Sequence, residues 1–371
     1  MLRCYPIEAS HENWLHESIV SLIRDIHQKL DRSDEIQNNQ EAWKALLLNC
    51  VDIEEPNGQI LETLPGIRDR FFSYKDELAN LTSRERQIIL DVMDCQNSIE
   101  ALLNGVGPVQ VINLTYPDLH EKAKDLFIFC FKKLTDLKIR ESQYQIIFDY
   151  LDDKICSFCG IERVMNPEET AQDQDHYLAK SIYPFAAANM RNLVPMCRCC
   201  NRDYKQGIDV IKGEDGTRRK AFDPYNCNPV QISLEHTTIV PDSFPIKFEW
   251  EIEFLPALEE SETWDKVFSI RKRYKRDVLN QYFDRWLRGF TSKCLKDRQR
   301  RVLSPNLTDV QVRQYLAVYQ EDKADNPSIG VGGFLEPLVF QFLLSKFDQG
   351  DNRIVSLIKD AVLGVSCDDV A

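Results

Sequence analysis

Apolar residues recur at intervals of three and four through most of the first 150 positions, the period of a helix with one buried face. The segments ENWLHESIVSLIRDIHQKL (12–30), SRERQIILDVMDCQNSIEALL (83–103) and PDLHEKAKDLFIFCFKKLTDL (117–137) carry it most clearly. Ser83, followed by Arg84, Glu85 and Arg86, predicts an N-cap without a full capping box. Turn signals at EEPNGQ and LNGVGP predict breaks between helices. In the middle of the chain the helical period lapses. The residues FPIKFEWEIEFLP (244–256) alternate and predict a strand. Helical spacing returns in KVFSIRKRYKRDVLNQYFDRWLRGFTSKCLKDRQRRVL (266–303) and LEPLVFQFLLSKF (335–347), and no internal repeat is visible. The pattern predicts a mainly α chain with a small α+β insert: a helical, acidic region over 1–150, an insert over 151–228, and a C-terminal region over 229–371 with a short β segment followed by helices.

Composition sets the surroundings. With 371 residues, 43% hydrophobic and 28% charged, the chain reads as an ordinary globular protein. The start, MLRCYPIEASHENWLHES, lacks the basic head and apolar run of a signal peptide, and no apolar stretch of about 18 residues could span a bilayer. A cytoplasmic protein with no membrane partner is expected. In that compartment disulfides are rare, so clustered cysteines point to metal or catalysis. Of twelve cysteines, eight (Cys4, Cys50, Cys95, Cys130, Cys199, Cys227, Cys294 and Cys367) have no regular spacing and read as small core residues.

The other four form two pairs, Cys156 and Cys159 in CSFC and Cys197 and Cys200 in CRCC. Two C-x-x-C turns suit a tetrahedral zinc site, since each presents two thiolates to one metal. The 37 residues between them exceed the linker of a compact zinc ribbon, so a structured unit held at its base by zinc is expected there. A redox pair is the other reading, but the surroundings of CSFCG do not look like a βαβ context. Cys199 could replace a neighbour as ligand, yet C-x-C is the less usual geometry, and it reads as a spare thiol.

Residues 173–205 read DQDHYLAKSIYPFAAANMRNLVPMCRCCNRDYK. Together with CSFC, the elements DHYLAKS, NLVPMCRCCN and Lys205 resemble the HNH nuclease family, the zinc-bearing branch of the ββα-metal fold. The likeness is greatest to bacterial members that read DHxLPKSxYP before NLVPxCxxCN. It is dense over 156–205 and runs on into AFDPYN (221–226). The resemblance implies a zinc-stapled ββα unit, flanked here by helical regions. It assigns His176 as general base, Asp175 and Asn201 as ligands of a catalytic Mg²⁺ or Mn²⁺, Asn192 as the residue orienting the loop that bears His176, and a purely structural zinc on the cysteines. The strands would come from 166–177 and 189–196, and the helix carrying Asn201 from the segment beginning at Cys200.

Chemistry points the same way: phosphodiester hydrolysis needs an activated water, a hard cation and in-line geometry. A histidine of ordinary pKa can take the water's proton, and the oxygens of Asp175 and Asn201 suit Mg²⁺. Two departures stand out. Ala179 replaces a proline usual in these relatives, and NRDYK is one residue longer than N-x-x-K, which puts Lys205 out of the place expected to face phosphate. AFDPYN, with Tyr225, reads as a structural turn. The remaining histidines, His11, His16, His27, His120 and His236, have no ligand-like partners and read as surface or core residues.

The net charge of −13 argues against indiscriminate coating of nucleic acid. Yet residues 1–150 hold 16 basic against 25 acidic side chains, while 269–301 hold 12 against 3. The latter block interleaves Tyr274, Tyr282, Phe283 and Trp286 with the basic residues, and reads either as a phosphate-contacting surface or as a solvated helix face. Arg191, Arg198, Arg202 and Lys205 add positive charge for nucleic-acid contact near the expected site. The expected function is a metal-dependent DNA endonuclease, a hydrolase of bacterial antiviral defence or restriction, restrained by its acidic N-terminal part or by a regulatory partner such as an ATPase or sensor, since the chain has no G-x-x-x-x-G-K-[ST] of its own. The alternative is a catalytically inactive, zinc-anchored module that binds nucleic acid or protein.

Overall fold

The computed structural model describes residues 1–168, 174–300, 307–327 and 330–364. Part of the expected strand 166–177, the end of the expected helix 266–303 and Cys367 lie outside the described residues. By backbone contacts the chain divides into two units, one of residues 3–154 and 163–228, the other of residues 155–162 and 229–371, with Met1 in the first and Leu2 in the second.

In the first unit the helices are α1 (Trp14–Asp31), α2 (Gln40–Cys50), α3 (Pro56–Thr63), α4 (Ile67–Ala79), α5 (Ser83–Asn97), α6 (Ile99–Leu103), α7 (Pro117–Asp136) and α8 (Ile139–Tyr150). Their starts follow the local chemistry. The Asn39 side chain accepts from the Ala42 N–H and opens α2. At α5 the cap is Thr82, one residue earlier than expected, and with Glu85 it makes a full capping box. Ser83 is the first residue inside the helix. The turn expected at EEPNGQ separates α2 from α3 at Glu54 and Glu55, but ends before Pro56. Pro56 sits at the first helical position, where its fixed φ and missing N–H cost nothing, and the helix runs through Asn57, Gly58 and Gln59. Glycine is required at 58 because a Cβ there would lie 2.1 Å from the Asp52 carbonyl oxygen.

The apolar faces of these helices share one core, in which Leu15, Ile19, Trp43, Phe71 and Phe127 are fully buried. Phe185, Ala187, Ala188, Met190 and Leu193 belong to that same core, so the loop after His176 is built into the helical packing. Strands β1 (Gln174–His176) and β2 (Leu193–Pro195) pair antiparallel, with Asp175 opposite Val194 and His176 opposite Leu193. β2 is shorter than the expected 189–196, because residues 190–192 form a 3₁₀ turn. A π-helical turn, Cys199–Lys205, follows.

In the second unit β3 (Gln231–Ser233) pairs with β6 (Glu253–Leu255), and β4 (Thr238–Ile239) with β5 (Phe248–Glu249). The single strand expected over 244–256 is therefore two, because the chain changes partner between them while Trp250 and Ile252 turn into the core. Helices α9 (Glu259–Phe268), α10 (Ile270–Arg273), α11 (Asn280–Gln299), α12 (Asp309–Asp325), α13 (Glu336–Asp348) and α14 (Asn352–Leu363) complete it, with a π-helical turn, Tyr274–Leu279, between α10 and α11. Ser269, at φ 51°, separates α9 from α10. Among the described residues helix dominates, the sheets are all two-stranded, and no helix is long and apolar enough to cross a membrane.

Candidate metal and catalytic centre

Cys156, Cys159, Cys197 and Cys200 are all buried, and their ligand atoms lie within 4.8 Å of one another. A tetrahedral zinc at about 2.3 Å from each sulfur sets the sulfurs about 3.8 Å apart. The four cysteines can therefore hold a structural metal such as zinc. Each pair sits on a tight turn. The Gly160 N–H donates to the Cys156 carbonyl at 2.8 Å, and the Cys200 N–H points at the Cys197 sulfur at 3.4 Å. Gly160, at φ 63°, turns the chain away after CSFC, and a Cβ there would strike Phe334 at 2.5 Å. Cys199 is half-buried and stands outside the four-sulfur group.

Two of the eight cysteines read as isolated thiols are not so. Cys4 and Cys227 form a disulfide across 223 positions of sequence, a separation at which no spacing rule operates. Cys50, Cys95, Cys130, Cys199 and Cys294 form no disulfide among the described residues.

The second cluster lies on the hairpin. His176 is buried, and its Nε2 is 3.0 Å from the Ala187 carbonyl oxygen. A carbonyl only accepts, so Nε2 carries the proton and Nδ1 is the basic nitrogen. The Phe131 ring of α7 lies 4.3 Å from the imidazole. Arg140 of α8 and Lys180 stand over that same Phe131 ring at 4.5 and 5.4 Å. Burial, reinforced by the charges of Lys180, Lys205 and Arg140, pushes the imidazole pKa down to about 3, so it is neutral at physiological pH.

Asp175 carries the opposite perturbation. Burial raises its pKa, against the pull of Lys205. The Lys205 ammonium, fully buried, lies 2.6 Å from Asp175 Oδ2, in a contact close in distance though poor in hydrogen-bond angle, and donates to the His176 carbonyl at 2.9 Å. Lys205 thus clasps the strand from the helical turn and faces Asp175.

Asn192 is fully buried. Its side chain accepts from the Leu178 N–H at 2.7 Å and donates to the Leu178 and Ala186 carbonyls, both at 3.1 Å, pinning both ends of the loop that follows His176. Asn201 sits half-buried on the helical turn, and its side chain forms no hydrogen bond with Asp175 or His176 among the described residues. Arg191 is paired with the buried Asp223 and stacks over Tyr225 at 5.4 Å. Arg198 and Arg202 are exposed. The chain thus gathers Asp175, His176, Asn192 and Lys205 by direct contacts, while Arg191 is engaged elsewhere.

Gln143, which carries no sequence signal, and Tyr225 of the AFDPYN turn complete the centre. Gln143 of α8 donates from its one amide nitrogen toward the carbonyls of Met190 (3.0 Å) and Leu193 (3.2 Å) and the Tyr225 hydroxyl (2.7 Å). Its oxygen accepts from Gln174 at 2.8 Å. Tyr225 in turn donates to Leu193 at 2.6 Å. This buried network gives the AFDPYN turn its purpose, since it ties both strands to α8.

Asp175 is paired with the buried Lys205, and among the described residues the four cysteines are the group placed to hold a metal. No protein-family model, curated protein or solved structure matches this chain.

Proposed function

We propose that the chain is a metal-dependent endonuclease of the HNH type that hydrolyses DNA phosphodiester bonds. The observation that carries this reading is the order hairpin then helical turn, with Asp175 and His176 on the first strand, Asn192 entering the second, and Lys205 returning from the turn to both. His176 takes the proton of the attacking water at Nδ1, while the Ala187 carbonyl holds the ring through Nε2. Asn192 keeps the following loop in place. Asp175 and Asn201 would hold a divalent cation, which would supply positive charge to the transferred phosphate. The cysteine group holds zinc as a structural ion, and Arg198 and Arg202 lie against the DNA backbone.

The covering of His176 by Phe131 supports a restrained enzyme of antiviral defence or restriction, held closed by its own N-terminal helices until a regulatory partner, such as an ATPase or sensor, displaces them. The same covering favours a second reading, a zinc-anchored binding module that does not cleave. Plasmid cleavage with Mg²⁺ or Mn²⁺, run beside His176→Ala with metal content measured on both proteins, separates them. Metal-dependent cutting that falls by about 10²-fold or more in the variant, with its zinc retained, supports the nuclease. Cutting unchanged by the substitution overturns the role of His176.

A further inference from the structure

The second unit contains a long helical run in which two sorts of cation are interleaved. One sort is structural. Arg271 is bound by Glu262 and Asp265, Lys275 by Glu251 and Arg276 by Asp277, and Arg298 donates to the Leu363 carbonyl. The other sort is exposed. Lys266, Lys272, Arg285, Arg288 and Lys296 form no ion pair and no side-chain hydrogen bond among the described residues. At about 100° per residue, Arg285, Arg288 and Lys296 fall within roughly 80° of one another on α11. Phe283, Trp286, Phe290 and Cys294 fall on the opposite side and are buried. Lys266 and Lys272 lie at the start of the run, where with the ion-paired Arg271, Lys275 and Arg276 and the acidic Asp265 they line an open depression of about 570 Å³.

We propose that this face of α11, with the exposed cations at the start of the run, is a binding surface for the phosphate backbone of double-stranded DNA, formed by residues other than the hydrolytic ones. Three observations select that ligand. The exposed cations that share one stripe, Arg285, Arg288 and Lys296, span about 17 Å at 1.5 Å per residue, about half a turn of duplex. The aromatic residues that sequence places among the bases do not offer a stacking platform, because Tyr274, Phe283, Trp286 and Phe290 are buried and Tyr282 stacks on Trp286 at 6.0 Å, which disfavours single strands. The apolar side of α11 is consumed by the core, so the helix has no face with which to enter a membrane. Asp284, also exposed, is the one acidic side chain among the exposed cations of α11, and the face keeps a net positive charge.

The inference rests on the nuclease reading only in its choice of ligand, and its test involves no cleavage. Binding of the full chain carrying His176→Ala to a duplex of about 25 base pairs is measured without divalent metal across a salt series. A second protein adds Lys272→Gln, Arg285→Gln, Arg288→Gln and Lys296→Gln. A third instead adds Arg32→Gln, Lys44→Gln, Arg68→Gln and Arg84→Gln, which removes equal charge from the first unit. Each phosphate contact contributes about 0.9 to the slope of log affinity against log salt, so the second protein should lose at least about 2 from that slope and about tenfold in affinity at 0.1 M salt, with the third near the parent. Equal losses in the second and third proteins, or no duplex binding by the parent, overturn the proposal. So does a stronger, equally sensitive attachment to single-stranded DNA, RNA or anionic vesicles. A cleavage failure with this binding intact would count against the nuclease reading alone.

Discussion

Around the four cysteines, every donor comes from two tight turns whose own backbone N–H groups shape them. Around His176, the deciding groups come from far along the chain: Phe131 and Arg140 from α7 and α8, Ala187 from the loop, Lys205 from the turn beyond. The first site is local chemistry that needs the fold only to bring two turns together. The second is an ordinary dipeptide made unusual by burial. Metal should therefore dominate the stability of the first site, and packing the properties of the second.

The largest expected effect is loss of the cysteine site. Cys197→Ser should remove the bound zinc and destabilise the protein by several kcal/mol, about 3 or more, since metal affinity at such a site is folding free energy. Metal analysis and thermal unfolding read both quantities. An unchanged melting temperature in a zinc-free variant would erase the difference between the two sites.

Acid should act first on the other side of the comparison. His16 and His27 are pushed down to about 4, and His176 to about 3, in each case by burial first. All three are neutral in the fold, whereas the unfolded chain binds their protons near pH 6.5. Protonation favours the unfolded state, so their contribution is complete above about 6.5 and is lost as pH falls toward about 4 for His16 and His27 and toward about 3 for His176. For His16 the loss approaches about 3 kcal/mol. Unfolding followed from pH 7 to 4, with released zinc monitored alongside, should show weakening before zinc leaves. Zinc release ahead of any loss of stability would assign the acid sensitivity to the thiolates.

Phe131→Ala tests whether the covering ring governs His176. The substitution should cost about 1–2 kcal/mol, since the ring is only half-buried. It should also raise the imidazole pKa by about one unit or more, read by NMR titration, and under the proposed function increase the cleavage rate. An imidazole still titrating near 3 would mean that the loop carrying Ala187 controls the site and that the N-terminal helices do not restrain it.

The unequal legibility of the two sites has the same origin. Cys156, Cys159, Cys197 and Cys200 announce themselves by spacing, because one turn of backbone decides where both sulfurs of a pair can go. The amphipathic helices α1, α5 and α7 are legible for a similar reason, since their period is local. Thr82 was one residue from view, because Ser83 is an equally good cap by type and only the geometry of Glu85 decides between them. Phe131 precedes His176 by 45 positions in an ordinary apolar helix face, and nothing in its neighbours marks it as the cover of an imidazole. Cys4 and Cys227, Gln143 and Tyr225, and the entry of Phe185 into the helical core are equally long-range. The two-residue strand β4 is too short to impose a period, and the alternation over 244–256 does not reveal that β5 and β6 take different partners.

The smallest effect sharpens the comparison most narrowly. Tyr225→Phe keeps the buried ring but removes the hydroxyl that donates to Leu193 and accepts from Gln143. The Leu193 carbonyl keeps a weaker bond from Gln143 at 3.2 Å, so the loss should be about 1 kcal/mol, short of the full penalty of an orphaned group. Because that hydroxyl supports β2 and not the cysteine turns, zinc content should be unchanged while the strands loosen, visible as faster hydrogen exchange at Tyr177, whose N–H is bonded to the Asn192 carbonyl beside β2. Lost zinc in this variant would show that the hairpin and the cysteine group stand or fall together, and the contrast between a local site and a packed one would collapse.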